Sequence, residues 1–197
     1  GFNRKICVLL WGAPGTGKTI TIHRARELAF KLGGIEIEAD SFEELTDSVR
    51  LLRNTEKQRP CMAVLEDVDE WFDEEETLGL SVLDGGSSLN NVLMLMTTNK
   101  IEEIPARALL RMRRIEFQIE FKRPSSSERR KYFEWKVPAE TLKKIPLESW
   151  VADTKGLTLD QCGQAVLNFA VFGWPPSKTT QEVEVRAAMA GKEIEDE

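Results

Sequence analysis

Apolar segments of strand length alternate with helical patterns along the first 121 residues of the chain. Alternation of this kind is typical of a parallel sheet covered by helices. It therefore predicts an α/β domain over residues 1–121. The predicted strands cover residues 6–11, 34–38, 61–66, 91–97 and 115–121, and the predicted helices cover residues 18–32, 41–54, 76–84 and 105–112.

The pattern changes after Phe121, where strand-type segments stop and only helical patterns remain. We therefore predict a small helical domain over residues 122–180. The predicted helices of this part cover residues 125–136, 139–153 and 158–172. Residues 181–197 end in an acidic stretch and are predicted to form a C-terminal tail.

Composition limits the classes of protein that fit this pattern. A chain of 197 residues with 41% hydrophobic residues can bury one α/β core and a small helical companion. No apolar run reaches the length that spans a membrane. The three cysteines are too scattered for a disulfide framework, which favours the cytoplasm or another reducing, soluble compartment. The net charge of −6 argues against tight nucleic-acid binding.

Charge is distributed unevenly along the chain. Residues 66–76 hold eight acidic and no basic residues, whereas residues 107–131 hold nine basic residues. A charge run is usually a solvated face. In an assembly of identical subunits, however, complementary runs help to select a head-to-tail contact, and we expect these two runs to face each other across such a contact.

Residues 12–19 carry the strongest chemical signal in the sequence. Gly12, Gly17, Lys18 and Thr19 occupy the fixed positions of the phosphate-binding pattern G-x-x-x-x-G-K-[ST], between a predicted strand and a predicted helix. Glycines allow several backbone N–H groups to turn towards one anion, and lysine adds a cation for the outer phosphates. The pattern predicts a nucleoside triphosphate site. The residues predicted to contact ATP are Gly12, Ala13, Pro14, Gly15, Thr16, Gly17, Lys18, Thr19 and Ile20.

Two carboxylates follow the third predicted strand. Met62–Leu65 are four apolar residues, and Glu66 and Asp67 come directly after them. A phosphate-binding loop needs such an acidic partner because Mg²⁺ and the attacking water must be placed beside the γ-phosphate. We predict that the Thr19 hydroxyl and Glu66 hold Mg²⁺, and that Asp67 orients or activates the water.

In these motifs the chain resembles the AAA subfamily of the AAA+ ATPases, with residues 62–67 in the place of the Walker B motif. The usual order of the two acids in that motif is Asp-Glu, and the Glu-Asp order here resembles the branch typified by the mitochondrial translocase of the Rieske protein. Leu83-Asp84-Gly85, Thr97-Thr98-Asn99 and residues 108–116 resemble further family segments in register. The resemblance extends from about Gly1 to about Phe172.

The resemblance implies a P-loop αβα sandwich with a five-stranded parallel sheet of order 5-1-4-3-2 and a small C-terminal helical lid. It implies that Asn99 is a sensor beside the γ-phosphate, and that Arg111 and Arg114 reach the ATP of a neighbouring subunit in a ring, a hexamer or heptamer. Met112 and Arg113 replace the usual Pro-Gly between these arginines. The family's aromatic–hydrophobic–Gly pore tripeptide is absent between residues 36 and 60, where we expect Phe42 to be a core residue.

Three hypotheses for the function remain open. The first is a ring motor that hydrolyses ATP to remodel or translocate a protein substrate. The second is a DNA-handling module of the helicase or clamp-loader type, which the acidic net charge disfavours. The third is an assembly scaffold that hydrolyses nucleotide slowly. Because Gly1 lies only a few residues before the first predicted strand, we also expect the module to come from a longer protein.

Overall fold

The computed structural model describes residues 4–85 and 89–191, and its strands form one parallel sheet. The strands are β1 (Ile6–Trp11), β2 (Ile35–Glu38), β3 (Cys61–Leu65), β4 (Val92–Thr98) and β5 (Phe117–Glu120). Their order across the sheet is β2-β3-β4-β1-β5. This confirms the predicted five-stranded parallel sheet and its order 5-1-4-3-2. Strand β1 lies between β4 and β5, so the loop that follows it leaves the sheet from an interior position.

The helices follow the predicted sequence of elements with three differences. The predicted helix 139–153 is wrong, because the chain turns at Pro146 and starts a new helix there. The predicted helix 105–112 is a single turn. A last helix also follows Pro175, where we predicted none before the tail. The helices are α1 (Lys18–Lys31), α2 (Phe42–Thr55), α3 (Val68–Asp84), α4 (Ala106–Leu109), α5 (Ser126–Lys136), α6 (Ala139–Leu142), α7 (Leu147–Asp153), α8 (Leu159–Phe172) and α9 (Pro176–Met189), with a short 3₁₀ helix at Ile101–Glu103.

Each face of the sheet carries a hydrophobic core. Successive side chains of a strand point to opposite faces, so one strand contributes to both cores. On one face Cys7 and Leu9 belong to a core that includes Phe42 of α2. On the other face Leu10 packs in a smaller core with Ile22 of α1. Helices therefore cover both faces, as an αβα sandwich requires.

Helix α3 begins eight residues earlier than predicted, because the acidic run conceals a helical pattern. Val68 and Phe72, four residues apart, are both buried, and most carboxylates of the run are exposed, although Asp69 is buried. The helix bends at Glu75, which has non-helical backbone angles. The Glu75 carboxylate accepts a hydrogen bond from the backbone N–H of Phe42 at 2.9 Å. Phe42 is fully buried and stacks edge-on against Trp71, which confirms it as a core residue.

The chain divides into two compact units. One runs up to Ala13 and from Lys18 to Phe121, and the other contains Pro14–Gly17 together with the chain from Lys122 onwards. The second unit is helical and has its own core around Phe133 and Trp150. The predicted boundary between residues 180 and 181 falls inside α9, and residues 192–197 of the predicted tail lie outside the described residues.

Two further expectations bear on the kind of protein. Cys7, Cys61 and Cys162 are buried free thiols. Burial raises the pKa of each of these thiols to about 11, so they are protonated at neutral pH. In the part of the chain that the structure describes, no helix has both the length and the apolar character needed to cross a bilayer.

Candidate nucleotide site

The glycine-rich loop starts where β1 ends, and its first residue, Gly12, has a backbone conformation and surroundings that disfavour any side chain. Its φ of 139° lies in the region that side chains rarely adopt. A Cβ atom at this position would also overlap the carbonyl oxygen of Phe121, which follows β5. The loop therefore leaves the sheet with its backbone pressed against the neighbouring strand end.

The middle of the loop, Pro14–Gly17, packs against the start of α8 within the second unit. Gly15 has a φ of 76°, and its carbonyl oxygen accepts a hydrogen bond from the backbone N–H of Asp160 at 3.1 Å. Thr158 caps α8, and its hydroxyl would lie 2.9 Å from a Cβ atom at position 15. The capped start of α8 therefore lies next to the middle of the loop.

Lys18 begins α1 and is buried, with 7% of its surface exposed. Its ammonium donates hydrogen bonds to the carbonyl oxygens of Gly12 at 2.6 Å and Ala13 at 3.1 Å, and to Asn99 Oδ1 at 2.8 Å. Burial lowers the pKa of Lys18, and the nearby Asp67 carboxylate partly offsets this shift. The Lys18 ammonium is thus held against the glycine-rich loop, to which it adds a positive charge.

Asn99 connects this lysine to the acidic pair. Its amide Nδ2 donates to Asp67 Oδ1 at 3.0 Å, while its Oδ1 accepts from Lys18. Lys18 and Asn99 are 81 residues apart along the chain, and Asn99 and Asp67 are 32 residues apart. The three side chains nevertheless form one hydrogen-bonded series. The three come from different elements that end or begin at the same edge of the sheet.

Asp67 has an unusual backbone conformation. Its φ of 47° and ψ of 49° are left-handed, and it stands at the N-cap of α3. The N–H of Asp67 donates to the hydroxyl of Thr97 at 3.1 Å, and Thr98 donates to the buried carboxylate of Asp69 at 2.6 Å. Our sequence analysis assigned no role to Thr97, Thr98 or Asp69. Two polar residues ending an otherwise apolar strand were the available signal.

The predicted metal ligands are exposed, and the structure does not join them. Thr19 and Glu66 are both at the surface, and no hydrogen bond connects them within residues 4–85 and 89–191. The hydrogen bond from Arg26 of α1 to Glu36 raises the pKa of the Arg26 guanidinium, and the nearby charges of Glu38 and Glu66 add smaller contributions. In the described part of the chain no cluster of three or more histidine, cysteine or acidic side chains could hold a metal ion. One hydroxyl and one carboxylate suit Mg²⁺ only when phosphate oxygens supply further ligands.

The remaining contact residues predicted for ATP lie in or beside the loop. Ala13, Pro14 and Thr16 belong to the loop, and Thr16 is buried. Ile20 stands on the first turn of α1, and 64% of its surface is exposed. The structure therefore brings together the loop, Lys18, Asn99 and Asp67. Thr19 and Ile20, which follow Lys18, and Glu66, which precedes Asp67, are exposed.

The two predicted finger arginines have different surroundings. Arg114 donates to both carboxylate oxygens of Asp84, through Nε at 2.7 Å and Nη2 at 2.6 Å. Its Nη1 donates to the carbonyl oxygen of Arg107 at 2.7 Å, and only 8% of its side chain is exposed. Arg111 lies 3.3 Å from the same carboxylate, and 67% of its side chain is exposed. Arg114 is therefore held by contacts within its own chain, whereas Arg111 is mostly in solvent.

The two charge runs meet within one subunit. Arg107 Nη2 lies 2.7 Å from Glu76 Oε1, which joins the end of the acidic run to the start of the basic run. Lys5 lies beneath the same region, because its Nζ contacts the carbonyl oxygens of Arg113 and Arg114 at 3.3 Å. Arg107 and Glu76 are thus paired within one chain, and the expectation that the two runs face each other across a subunit contact stays a prediction.

The Asp84–Arg114 pair predicts a pH dependence of stability. Hydrogen bonds from Arg114 lower the pKa of Asp84 from 3.8 to about 2. Because the folded-state pKa lies below the unfolded-state value, the pair stabilises the fold above about pH 4, and this contribution is lost as the pH falls through about 2. We expect Asp84→Asn to lower the melting temperature at pH 7, and the gap to wild type to narrow between pH 4 and 2. Thermal unfolding followed by circular dichroism measures this, and an equal loss in the exposed Asp73→Asn control would contradict it.

Comparisons with known proteins agree with this site. A model of the ATPase family associated with various cellular activities (AAA) matches residues 8–123, more than half of the chain. The probable 26S proteasome regulatory subunit 4 of Caenorhabditis elegans is 29% identical over 164 residues, which cover 73% of this chain and 37% of that protein. The ATP-dependent zinc metalloprotease FtsH 1 of Conexibacter woesei is 31% identical over 174 residues, which cover 77% of this chain and 26% of that protein.

The chain thus spans less than two fifths of the length of these relatives. The matched residues 8–123 include the glycine-rich loop, Lys18, the acidic pair, Asn99 and both arginines. The chain therefore belongs to the ATPase family associated with various cellular activities (AAA), a family of ATP-hydrolysing enzymes.

Proposed function

We propose that this chain is the ATP-hydrolysing module of a ring-forming motor that remodels or translocates protein. The hydrogen-bonded series Lys18–Asn99–Asp67 is the observation that supports it most directly. It places a cation for phosphate oxygens, an amide and a carboxylate in one chain of contacts. This is the set of groups that phosphoryl transfer to water requires, because positioning and electrostatic stabilisation supply most of its catalysis.

Each of these residues has a separate task in the proposed mechanism. The backbone N–H groups of the loop and the Lys18 ammonium bind the outer phosphates of ATP. Asn99 orients the attacking water through its side-chain amide. Asp67 accepts a proton from that water as its oxygen bonds to the γ-phosphorus and the bond from this phosphorus to the bridging oxygen of the leaving ADP breaks. Because Asn99 contacts both charged groups, it also fixes the distance between them.

Mg²⁺ is the proposed metal cofactor, and it would neutralise charge on the phosphates. The Thr19 hydroxyl and the Glu66 carboxylate are its proposed protein ligands. Both are exposed at the start of α1 and the end of β3, where they can turn towards a bound nucleotide. The Glu-Asp order of the acidic pair also supports our finer proposal, that this module belongs to the branch of the mitochondrial Rieske-protein translocase.

We place Arg111 at the ATP of the neighbouring subunit in the ring. Its exposure supports this role, since a side chain that acts on another subunit must be free to leave its own. The turn from Leu110 to Arg113 presents the same surface, because Leu110 and Met112 are more than 80% exposed. Arg114 supports the turn from below through its contacts with Asp84 and Arg107.

A protein substrate is proposed because the relatives carry that activity in their names. They are described as subunits of the 26S proteasome and as an ATP-dependent metalloprotease. Three buried free thiols fit a reducing compartment. The ring, a hexamer or heptamer, and the alternative DNA-handling class are tested by the following experiment; a slow-hydrolysing assembly scaffold is the third candidate function.

The specific ATPase activity of the chain should rise with protein concentration and fall with added salt, because each complete site needs an arginine from a second subunit. Activity and sedimentation velocity are measured on the same samples, with Lys18→Ala as the inactive control. Stimulation by DNA with a steep salt dependence would instead support the DNA-handling class. A specific activity that is independent of concentration in a monomer would contradict the ring.

A further inference from the structure

Asp67 adopts a conformation that its chemistry alone does not favour. At φ 47° and ψ 49° it lies in the left-handed region, one of only two non-glycine residues with positive φ in the described chain. Such conformations persist only when surrounding contacts hold them. The residue before it, Glu66, is exposed and follows the fully buried strand β3, and the residue after it, Val68, is buried.

Two side chains at the end of β4 hold Asp67. Thr97 accepts the Asp67 N–H at 3.1 Å, and Asn99 donates to the Asp67 carboxylate at 3.0 Å. Thr97 lies in β4 and Asn99 directly follows the strand, so both contacts come from the same strand end. Thr98 points to the opposite face and donates to Asp69. Thr97 thus fixes the main chain of Asp67, while Asn99 fixes its side chain.

We propose that Thr97 is a positioning residue for ATP hydrolysis, whose hydroxyl holds the Asp67 backbone so that its carboxylate meets Asn99. This inference rests on the role proposed above for Asp67. Thr97 is 4% exposed, so its hydroxyl oxygen acts on Asp67 from within the sheet. Without this acceptor the Asp67 backbone is free to leave the left-handed region, and the carboxylate moves relative to Asn99 and Lys18.

The test replaces Thr97 by valine, which has the same shape but no hydroxyl. A displacement of about 1 Å in a reacting group can lower a rate roughly 100-fold, so we expect kcat to fall by about 10- to 100-fold. The KM for ATP should change by less than about threefold, because the phosphate-binding loop and Lys18 are untouched. Thr97→Ser keeps the hydroxyl and should restore kcat.

Thr98→Val is the matched control on the same strand. It removes a buried hydroxyl of the same kind, but one that binds Asp69 instead of Asp67. It leaves the Asp69 carboxylate without this donor, so the melting temperature should fall more than in Thr97→Val. Measured well below that temperature, its kcat should stay within about threefold of wild type, as for a residue remote from the transition state.

A double variant separates positioning from a general structural effect. If Thr97 acts through Asp67, adding Thr97→Val to Asp67→Asn should not lower the residual rate further. A further loss in the double variant would overturn the inference, and so would equal losses in Thr97→Val and Thr97→Ser. Wild-type turnover by a folded Thr97→Val protein would also overturn it.

The role of Asp67 itself is tested separately by the single variant Asp67→Asn. Near-normal turnover in Asp67→Asn would refute the proposed role of Asp67, and the inference on Thr97 with it. An inactive Asp67→Asn beside a fully active Thr97→Val would refute the inference on Thr97 alone.

Discussion

Replacing Asp67 by asparagine should abolish ATP turnover while leaving ATP binding intact. Asparagine preserves the shape of the side chain and can still contact Asn99, but it cannot take a proton from the attacking water. Loss of a general base typically costs about 10²- to 10⁴-fold in rate. Steady-state phosphate release measures turnover, and titration with a fluorescent ATP analogue measures binding.

Two other variants separate the proposed role of Asp67 from ATP binding and from Mg²⁺ binding. Lys18→Ala should lose binding itself, because removing the ammonium leaves the outer phosphates without the cation that now contacts Gly12, Ala13 and Asn99. Glu66→Gln should weaken mainly the Mg²⁺-dependent steps. If Glu66→Gln instead binds ATP normally and traps it unhydrolysed while Asp67→Asn loses metal dependence, the two carboxylates have exchanged roles.

The second large effect concerns arginine supplied by a neighbouring subunit. Arg111→Ala should bind ATP normally and hydrolyse it about 10³- to 10⁵-fold more slowly, the range known for arginines that act on phosphoryl transfer from another chain. Mixing Arg111→Ala with Asp67→Asn should restore part of the activity. A mixed pair then contains one site with an intact Asp67 from one chain and an intact Arg111 from the other.

Arg114→Ala is the variant with which Arg111→Ala is compared. Its guanidinium is bound to Asp84 and to the carbonyl of Arg107, so its removal should lower the melting temperature as well as the rate. Arg111→Ala should lower the rate with little change in melting temperature, because its side chain is mostly exposed. No recovery of activity in the mixture, with assembly confirmed by sedimentation, would show that Arg111 serves only its own subunit.

The sheet was predictable because its signal is local and repeated. Strands β1, β3 and β4 are apolar runs in the interior of the sheet, and residues such as Leu9 and Leu10 point to opposite cores yet are equally apolar. The strand order came from the family resemblance and was confirmed by the pairing of β1 with β4 and β5. Local sequence alone does not specify which strands pair.

The beginning of α3 was not predicted, because most of its residues are charged. Eight carboxylates between residues 66 and 76 look like a solvated segment, and the two buried positions Val68 and Phe72 are too few to mark a helix on their own. Burial of Phe72 against Phe42 of another helix stabilises this turn. The signal for it is therefore tertiary.

The residues of the site were identified from motifs and from the family resemblance, but their partners were not. Motif patterns located Lys18 and Asp67, the resemblance located Asn99, and the structure joins the three by hydrogen bonds. The resemblance also treated Arg111 and Arg114 as equivalent. Their difference depends on Asp84, which lies about 30 residues away and whose carboxylate faces only one of them closely.

Helix α3 starts beside Asp67 and ends at Asp84, and both ends are held by specific contacts. An α-helix turns by about 100° and rises by about 1.5 Å per residue. One residue inserted between Gly79 and Asp84 would therefore swing Asp84 away from Arg114 while the start of the helix stays in place. A change in the length of α3 is consequently more damaging than any exchange among its exposed carboxylates.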